Sequence, residues 1–251
     1  MIDIIFLLLS AYVFLFCTSL VIKDNSIVDI FWGIWFILVA WYTFFSRESF
    51  FFYQIVMTSL VTLWGVRITL YIASKKIKSY TGEDFRYAQW REQWKYFYTR
   101  SFFQIYILQG ILLLIIALPI IFVNRENGYS GDMLFTCIWW VVALFGLAFE
   151  TIADLQLSHF LKIRKKWEIF TRGLYTYSRH PNYFGESVFW LGISIIAFPI
   201  NQLSILSFLM ITFLLLYVSG VPMIEKRYAG NKDFEAYQKK VSVFIPWFHK
   251  M

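Results

Sequence analysis

The chain has 251 residues, of which 59% are hydrophobic, 22% aromatic and only 16% charged. A soluble domain carries roughly a quarter of charged residues, and this much apolar surface would leave large patches facing water. The composition therefore excludes a soluble globular protein, a disordered chain and a disulfide-rich secreted scaffold.

Long charge-free runs predict membrane-spanning helices, because a bilayer core of roughly 30 Å needs about 20 helical residues. The run from Ser187 to Ile224 is nearly twice that length, and Pro199-Ile200-Asn201 near its middle is a turn signal. We therefore divide it into two spans. The sequence predicts an all-α polytopic membrane protein with seven spans, namely 4–22, 30–46, 50–74, 101–124, 133–149 with an extension toward 157, and the two halves of 187–224.

The positions of Lys and Arg predict the orientation, because positively charged loops stay in the cytoplasm. Of 23 such residues, 20 lie on one side of this topology, Arg67 lies within a span, and only Arg47 and Arg125 lie on the other side. We therefore place the N-terminus outside and the C-terminus in the cytosol, in a bacterial inner membrane or an endoplasmic-reticulum-type membrane. The same rule explains the net charge of +7 without a nucleic-acid partner. The first run lacks a basic leader and a cleavage site, and is expected to be a retained helix.

Neither a metal site nor a disulfide is expected. Cys17 and Cys137 lie inside apolar runs, and His159, His180 and His249 have no ligand spacing. No repeat or second domain is visible, so we treat residues 1–251 as a single membrane domain. The sequence carries no signal for an oligomeric state.

Ionisable residues at membrane depth are the candidate functional residues, because such charges cost several kcal/mol unless they face a cavity or a partner. In the predicted topology all of them lie toward the cytosolic side. Glu150 and Asp154 are four residues apart and share a helix face. In a purely structural alternative, Arg or Lys residues of 162–172 would form ion pairs with these two carboxylates. The alternative for Asp29 is that it caps the N-terminus of its helix. The alternative for Arg67 is that its side chain extends along the helix to the lipid headgroups. The full set is Asp29, Arg67, Glu150, Asp154, Glu186 and Glu225.

A polar and aromatic segment precedes the sixth predicted span, from Gly173 to Glu186. Pro181 disfavours helical geometry at the preceding residue and suits the first turn of a helix. Arg179 can bind phosphate or carboxylate, and Asn182 offers both a donor and an acceptor. The tyrosines can stack on a flat ring or form an ordinary interfacial aromatic belt.

Two further segments are amphipathic. The segment from Gly82 to Trp94 is predicted to be a surface helix, with a lid as the alternative. The tail from Glu225 to Trp247 is predicted to form a short interfacial helix, with Lys226 and Arg227 closing over an anion as the alternative.

Taken together, these residues resemble the steroid 5α-reductase C-terminal family, most closely its bacterial-type membrane branch. The resemblance covers nearly the whole chain and is strongest from Gly146 to Pro246. The matching motifs are Asp29 with Trp32-Gly33, Trp64 with Arg67, the Glu-Asp-Phe-Arg-Tyr loop at 83–87, Glu150 with Asp154, the 178–186 loop and the Phe-Ile-Pro ending.

The resemblance implies a seven-helix membrane reductase that takes NADPH from the cytosol and reduces a carbon–carbon double bond conjugated to a carbonyl in a steroid-like or other lipid. It implies a substrate side within residues 1–123 and a cofactor-binding half within 133–251. The cofactor residues expected from it are Glu150, Asp154, Arg172, Tyr177, Arg179, Asn182, Tyr183, Glu186, Lys226, Arg227 and Tyr237.

The sequence departs from the better-known steroid reducers at the proton donor. They carry a tyrosine three residues before the third-helix arginine, where this chain has Trp64. An indole donates a hydrogen bond but not a proton. Tyr71 and Tyr87 are the candidate donors, and Asp29 and Arg67 complete the predicted catalytic set.

Two other classes remain open. Membrane isoprenylcysteine carboxyl methyltransferases show a similar Arg-His-Pro-x-Tyr loop followed by Glu, and they use S-adenosylmethionine. A non-catalytic lipid-binding protein that has kept the fold is the third class. The pair of Glu150 and Asp154 and the Asp-Phe-Arg-Tyr loop favour the reductase.

Overall fold

The computed structural model describes residues 1–46, 51–79, 82–128, 132–165 and 167–248, and all regular elements in these ranges are helices. The chain divides into two compact units, Met1–Gly128 and Tyr129–Met251, here called unit 1 and unit 2.

Unit 1 contains three long helices followed by shorter ones. The helices are α1 (Ile2–Ile22), α2 (Ile27–Phe45), α3 (Phe52–Ser79), α4 (Phe85–Gln93), α5 (Phe97–Ser101), α6 (Leu108–Ile116) and α7 (Leu118–Arg125), with a π-helical stretch Phe102–Ile107 joining α5 to α6. The apolar segment predicted at 101–124 therefore changes helix type and breaks at Ala117, just before Pro119, which occupies the first turn of α7.

Helices α2 and α3 pack closely because glycines face each other. A Cβ atom added to Gly33 would lie 2.4 Å from the Gly65 carbonyl oxygen, which only a residue without a side chain permits. Beside this contact, Trp64 is fully buried and meets the Phe36 ring edge-on at 5.3 Å. In α7, the buried Asn124 amide donates to the Ala40 carbonyl at 3.0 Å. Such internal pairing is what a polar group in a lipid environment requires.

Unit 2 is organised around a long helix and a hairpin. Its elements are α8 (Met133–Ile163), a 3₁₀ turn (Gly173–Thr176), α9 (Pro181–Ala197), a 3₁₀ turn (Gln202–Ser204), α10 (Ile205–Phe213), a π-helical stretch (Leu214–Val218), α11 (Val221–Lys226) and α12 (Lys232–Lys240). The predicted break of the last apolar run is confirmed, because α9 ends at Ala197 and the Ser204 hydroxyl donates back to the Ser194 carbonyl at 2.8 Å.

Glycines also set the packing of α8 against α9. A Cβ atom on Gly146 would lie 2.3 Å from the Phe189 amide nitrogen, and one on Gly185 would lie 2.5 Å from the Glu150 amide nitrogen. Gly192 approaches Ala143 in the same way, at 2.8 Å. Small residues that let helix backbones touch are typical of membrane bundles.

Six of the described helical segments are long and apolar enough to cross a membrane, which makes the chain an integral membrane protein. They are Ile2–Ile22, Ile27–Phe45, Phe52–Ile77, Phe97–Ile116, Met133–Ile163 and Gln202–Lys226. Helix α9, which corresponds to the sixth predicted span, has 17 residues. It would extend about 25 Å, at the lower limit for a spanning helix. A total of seven spans therefore stays a prediction, as does the orientation.

The glycine contacts make a testable prediction about stability. Replacing Gly185 with Leu forces α9 away from the backbone of Glu150, and overpacking of this kind costs about 1–3 kcal/mol or more. We expect the melting temperature in detergent to fall by several degrees. The control is Val141→Leu on the exposed face of α8, where Val141 is 65% exposed. An unchanged melting temperature for G185L would contradict the close packing.

Candidate functional site

The candidate site in unit 2 is a cluster of polar side chains where the C-terminal half of α8 meets the start of α9. Glu150, Asp154 and Glu186 are only 2%, 4% and 7% exposed. The Asn182 amide, in the first turn of α9, donates to Asp154 Oδ1 at 3.2 Å. Glu186 follows Gly185, whose backbone contacts that of Glu150. The structure thus brings the four predicted residues of these two helices into one region.

The predicted start of α9 explains how Asn182 is placed. The helix begins at Pro181, and His180 is its N-cap, with a non-helical φ of −134° and ψ of 61°. Proline at the first helical position lacks the N–H that would go unpaired there, so it costs nothing. The first turn therefore holds the Asn182 amide in a defined direction.

Tyr175 belongs to this region although its role was not predicted from the sequence. It is 5% exposed, and its buried hydroxyl has no hydrogen-bond partner among the described residues. Burial raises the pKa of Tyr175 well above its usual value, and the charge of Asp154 raises it further. The phenol therefore keeps its proton at physiological pH and is available to donate a hydrogen bond.

The loop that carries Tyr175 is attached to α8. Gly173 has φ of +62°, which favours glycine, and lies against the side chain of Gln156. Gln156 Oε1 accepts a hydrogen bond from the Leu174 amide at 3.0 Å. A glycine two residues before the tyrosine, Gly173, is the sequence signal for this placement.

Arg179 and Tyr237 join the loop to the C-terminal tail, an arrangement we call the loop–tail clamp. Arg179 Nε donates to Glu225 Oε1 at 2.8 Å, and its Nη1 donates to the carbonyls of Gln238 and Val241. The Tyr237 hydroxyl donates to the Tyr175 carbonyl. These two residues therefore hold the loop in position, and their predicted contacts with a cofactor stay predictions.

The clamp continues along the tail as main-chain pairing. The Arg179 amide donates to the Ser242 carbonyl at 2.8 Å, and the Trp247 amide donates to the Tyr177 carbonyl at 3.0 Å. The Ser178 hydroxyl donates to the Phe244 carbonyl at 2.7 Å. The tail after α12 is thus not helical and is tied to the loop, and the helical part of the predicted tail is α11 and α12.

The other residues predicted from the loop and tail lie around this core. Tyr183 stacks on His180 with ring centroids 5.3 Å apart. Tyr177 is 42% exposed. The cations predicted to meet phosphates are on the surface, at Arg172, Lys226 and Arg227.

Unit 1 contains a second polar cluster at the start of α2. Ser26 is the N-cap of this helix, so an N-cap role for Asp29 is wrong. The Asp29 carboxylate instead accepts hydrogen bonds from Arg86 Nη2 at 2.6 Å and from the Tyr87 hydroxyl at 2.8 Å. Burial raises the pKa of Tyr87, and the neighbouring charge of Asp29 adds to the effect. Tyr87 is therefore a neutral donor to Asp29.

The segment predicted as a surface helix or lid is the helix α4, and side-chain pairs attach it to the rest of unit 1. Glu83 binds Arg91 through both of its oxygens, at 2.8 Å each, and also accepts from the Asn25 amide at 2.8 Å. Together with Arg86 and Asp29 these contacts fasten both ends of the segment to the start of α2. In the structure, α4 is therefore docked against the start of α2.

Arg67 and Tyr71 lie one turn apart on α3, both partly buried. The Lys75 ammonium lies over the Tyr71 ring, 4.0 Å from its centroid. Trp64, at the position where the resemblance calls for tyrosine, is packed against Phe36. Its place in the structure is that of a core side chain.

The loop–tail clamp predicts a change in tail dynamics. Replacing Arg179 with Ala removes three hydrogen bonds and leaves Glu225 without its cation, so the tail should open more often. We expect faster hydrogen exchange at the Trp247 amide, measured on full-length protein in detergent micelles. The control is the exposed Arg172→Ala. Exchange at Trp247 that is equal in both variants would show that Arg179 does not hold the tail.

Comparison with known proteins gives the family. A family profile described as "Protein of unknown function (DUF1295)" matches residues 15–241. The uncharacterized protein C594.04c of Schizosaccharomyces pombe is 25% identical over 217 residues, covering 76% of this chain and 62% of that protein. The chain thus spans less than two thirds of the relative's length. No solved structure matches. Because the profile covers most of its length, the chain belongs to the DUF1295 family.

Proposed function

We propose that the chain is a membrane-embedded reductase that uses NADPH to reduce a carbon–carbon double bond conjugated to a carbonyl in a lipid. The observation that carries the proposal is the cluster in unit 2 of the buried Glu150, Asp154 and Tyr175 with the partly buried Asn182. Buried carboxylates in a membrane protein are costly and usually serve a ligand or a transport path. The relation of DUF1295 to steroid reductase-like membrane proteins supports the same assignment.

The chemistry of the cluster fits a nicotinamide dinucleotide. Carboxylate oxygens accept hydrogen bonds from ribose hydroxyls and from a carboxamide N–H, and the Asn182 amide both donates and accepts. The Tyr175 hydroxyl, which has no hydrogen-bond partner among the described residues, supplies a further donor beside the Asn182 amide. The exposed cations Arg172, Lys226 and Arg227 would attract the phosphates of the dinucleotide as it enters from the cytosol.

The proposal assigns the two reactants to different parts of the chain. Residues 133–251 would hold the cofactor, whereas residues 1–123 would hold the lipid and protonate it. NADPH, when bound, supplies the hydride that the β carbon of the conjugated system accepts. A positioned donor of this chain would stabilise the negative charge that such a reduction develops on the carbonyl oxygen. Apolar surroundings strengthen that interaction and keep water from the reacting atoms.

Of the two predicted proton donors, we favour Tyr71. Tyr87 has a single O–H, and the structure directs it at Asp29. Tyr71 lies one turn from Arg67 on α3, so the two predicted catalytic residues of this helix share a face. Asp29 would then act as a positioning residue that holds Arg86 and Tyr87.

The cofactor assignment is tested by nucleotide binding. Purified protein in detergent is titrated with NADPH, NADH and S-adenosylmethionine, using calorimetry or nicotinamide fluorescence. NADPH is expected to bind best, Asn182→Ala and Glu186→Ala are expected to abolish binding, and Tyr175→Phe is expected to weaken it about tenfold through loss of one hydrogen bond. Tyr217→Phe, at a side chain that is 69% exposed, is the matched control.

The alternatives predict other outcomes of the same titration. Binding of S-adenosylmethionine in place of NADPH would identify a methyltransferase. Absence of binding for all three compounds would remove the enzyme assignment and leave a lipid-binding protein.

The proton donor is tested by turnover. With a conjugated lipid ketone as substrate, loss of nicotinamide absorbance reports the rate. Tyr71→Phe should lower kcat by a factor of about 10²–10⁴, the usual contribution of general acid catalysis, with NADPH binding retained. Tyr87→Phe should have a smaller effect, and Tyr98→Phe, which is 63% exposed, should have none. A larger loss in Y87F than in Y71F would reverse the assignment.

A further inference from the structure

The surface of unit 2 carries a cavity at the turn that joins α11 to α12, which we call the span-end cavity. Its lining residues are Trp167 and 227–233. Its volume is about 350 Å³, which lies within the range of small-molecule sites. The buried cluster proposed to hold the cofactor contributes no residue to this lining, so the cavity is a separate feature of the unit.

The cavity lies where two apolar helical segments end. The segment Met133–Ile163 ends four residues before Trp167, and the segment Gln202–Lys226 ends directly before Arg227. Both segments are long and apolar enough to cross a membrane. The end of such a segment lies where the hydrocarbon gives way to headgroups. The chain therefore presents this cavity at the level of the lipid headgroups.

Side-chain hydrogen bonds join the two segment ends around the cavity. Arg164 Nη1 donates to the Tyr228 hydroxyl at 3.1 Å. The Asn231 side-chain amide donates to the Trp167 carbonyl at 3.4 Å. The walls of the cavity are thus attached to each other although they come from parts of the chain about sixty residues apart.

The charge of the lining favours an anion. Two cations, Arg227 and Lys232, line the cavity together with one carboxylate, Asp233. Asp233 lies in the first turn of α12, where the helix dipole favours an acidic residue whatever the cavity binds. The chain on either side adds the exposed Lys165 and Lys226. Basic pockets at the ends of membrane helices suit the phosphates of lipid headgroups.

Exposed apolar side chains next to these cations favour a lipid over a soluble phosphate. Trp167 is 58% exposed, and Ile163, the last residue of α8, is 70% exposed. Tryptophan is enriched at the membrane–water interface, where its ring lies among the headgroups. Trp167 also has φ of 71°, which a bulky residue adopts only where its surroundings impose it. A lipid offers both a phosphate for the cations and an acyl chain for the apolar side chains.

We propose that the span-end cavity binds the phosphate group of an anionic membrane lipid through Arg227 and Lys232, with Trp167 beside the lipid at the membrane interface. Binding of the lipid requires neither NADPH nor turnover, so the inference does not depend on the proposed function. With the lipid in place, Arg172 and Lys226 remain to attract a dinucleotide.

The experiment titrates delipidated full-length protein in detergent micelles with phosphatidylglycerol or phosphatidylcholine, and native mass spectrometry measures the bound lipid. The anionic phosphatidylglycerol is expected to bind more tightly than the zwitterionic phosphatidylcholine, by a ratio that falls as salt is added. Lys232→Gln should weaken phosphatidylglycerol binding about fivefold, which is the contribution of one lysine at a membrane surface. Lys240→Gln makes the same charge change at the other end of α12 and should leave binding unchanged.

A second pair of variants tests the cavity without changing charge. Ala229→Phe places a ring in the lining and should lower phosphatidylglycerol binding, whereas Ala236→Phe, on an exposed position of α12, should not. Circular dichroism and the elution volume check the fold, and K232Q carries the test alone if A229F does not fold. Equal binding by K232Q and K240Q would overturn the cavity as the site, and equal affinity for the two lipids would overturn the anionic class.

Two competitors identify the source of the phosphate. Glycerol 3-phosphate that displaces the lipid at equal concentration would overturn a lipid as the occupant, and displacement by NADPH would assign the cavity to the dinucleotide. Resistance to both competitors is expected. Lipid binding that is lost in K232Q, in a protein that binds no NADPH, would refute the reductase and leave the lipid site intact.

Discussion

Close contact between helix backbones is the constraint on which the candidate site of unit 2 depends. In lipid, helices gain little from hiding apolar surface, so they associate through packing and hydrogen bonds that need short distances. Gly146, Gly185 and Gly192 supply that closeness between α8 and α9. Because Gly185 touches the backbone of Glu150, the first turn of α9 can reach Asp154 with its amide. A residue larger than Gly185 would move the carboxylates of α8 away from the Asn182 amide, which donates to Asp154.

In both units, charged side chains form hydrogen bonds and ion pairs with residues from distant parts of the chain. Asp29 is held by Arg86 and Tyr87, and Glu225 accepts from Arg179 and from Gln238. Such pairing offsets the free-energy cost of removing a charge from water. An isolated buried ion has no such compensation. Among the described residues the buried Tyr175 hydroxyl has no such partner, and in the proposed function the cofactor supplies it.

The sequence was sufficient for features that depend on local patterns. Hydropathy located the apolar helices, the Pro-Ile-Asn turn predicted the break between α9 and α10, and Pro181 predicted the start of α9. It was insufficient where side chains from distant positions choose partners. Arg179 was predicted to bind phosphate, yet it binds Glu225, 46 residues further along the chain. Asp29 finds Arg86 across 57 residues. The burial of Tyr175 beside Asp154, and the lack of a partner for its hydroxyl among the described residues, are properties that composition and spacing do not carry.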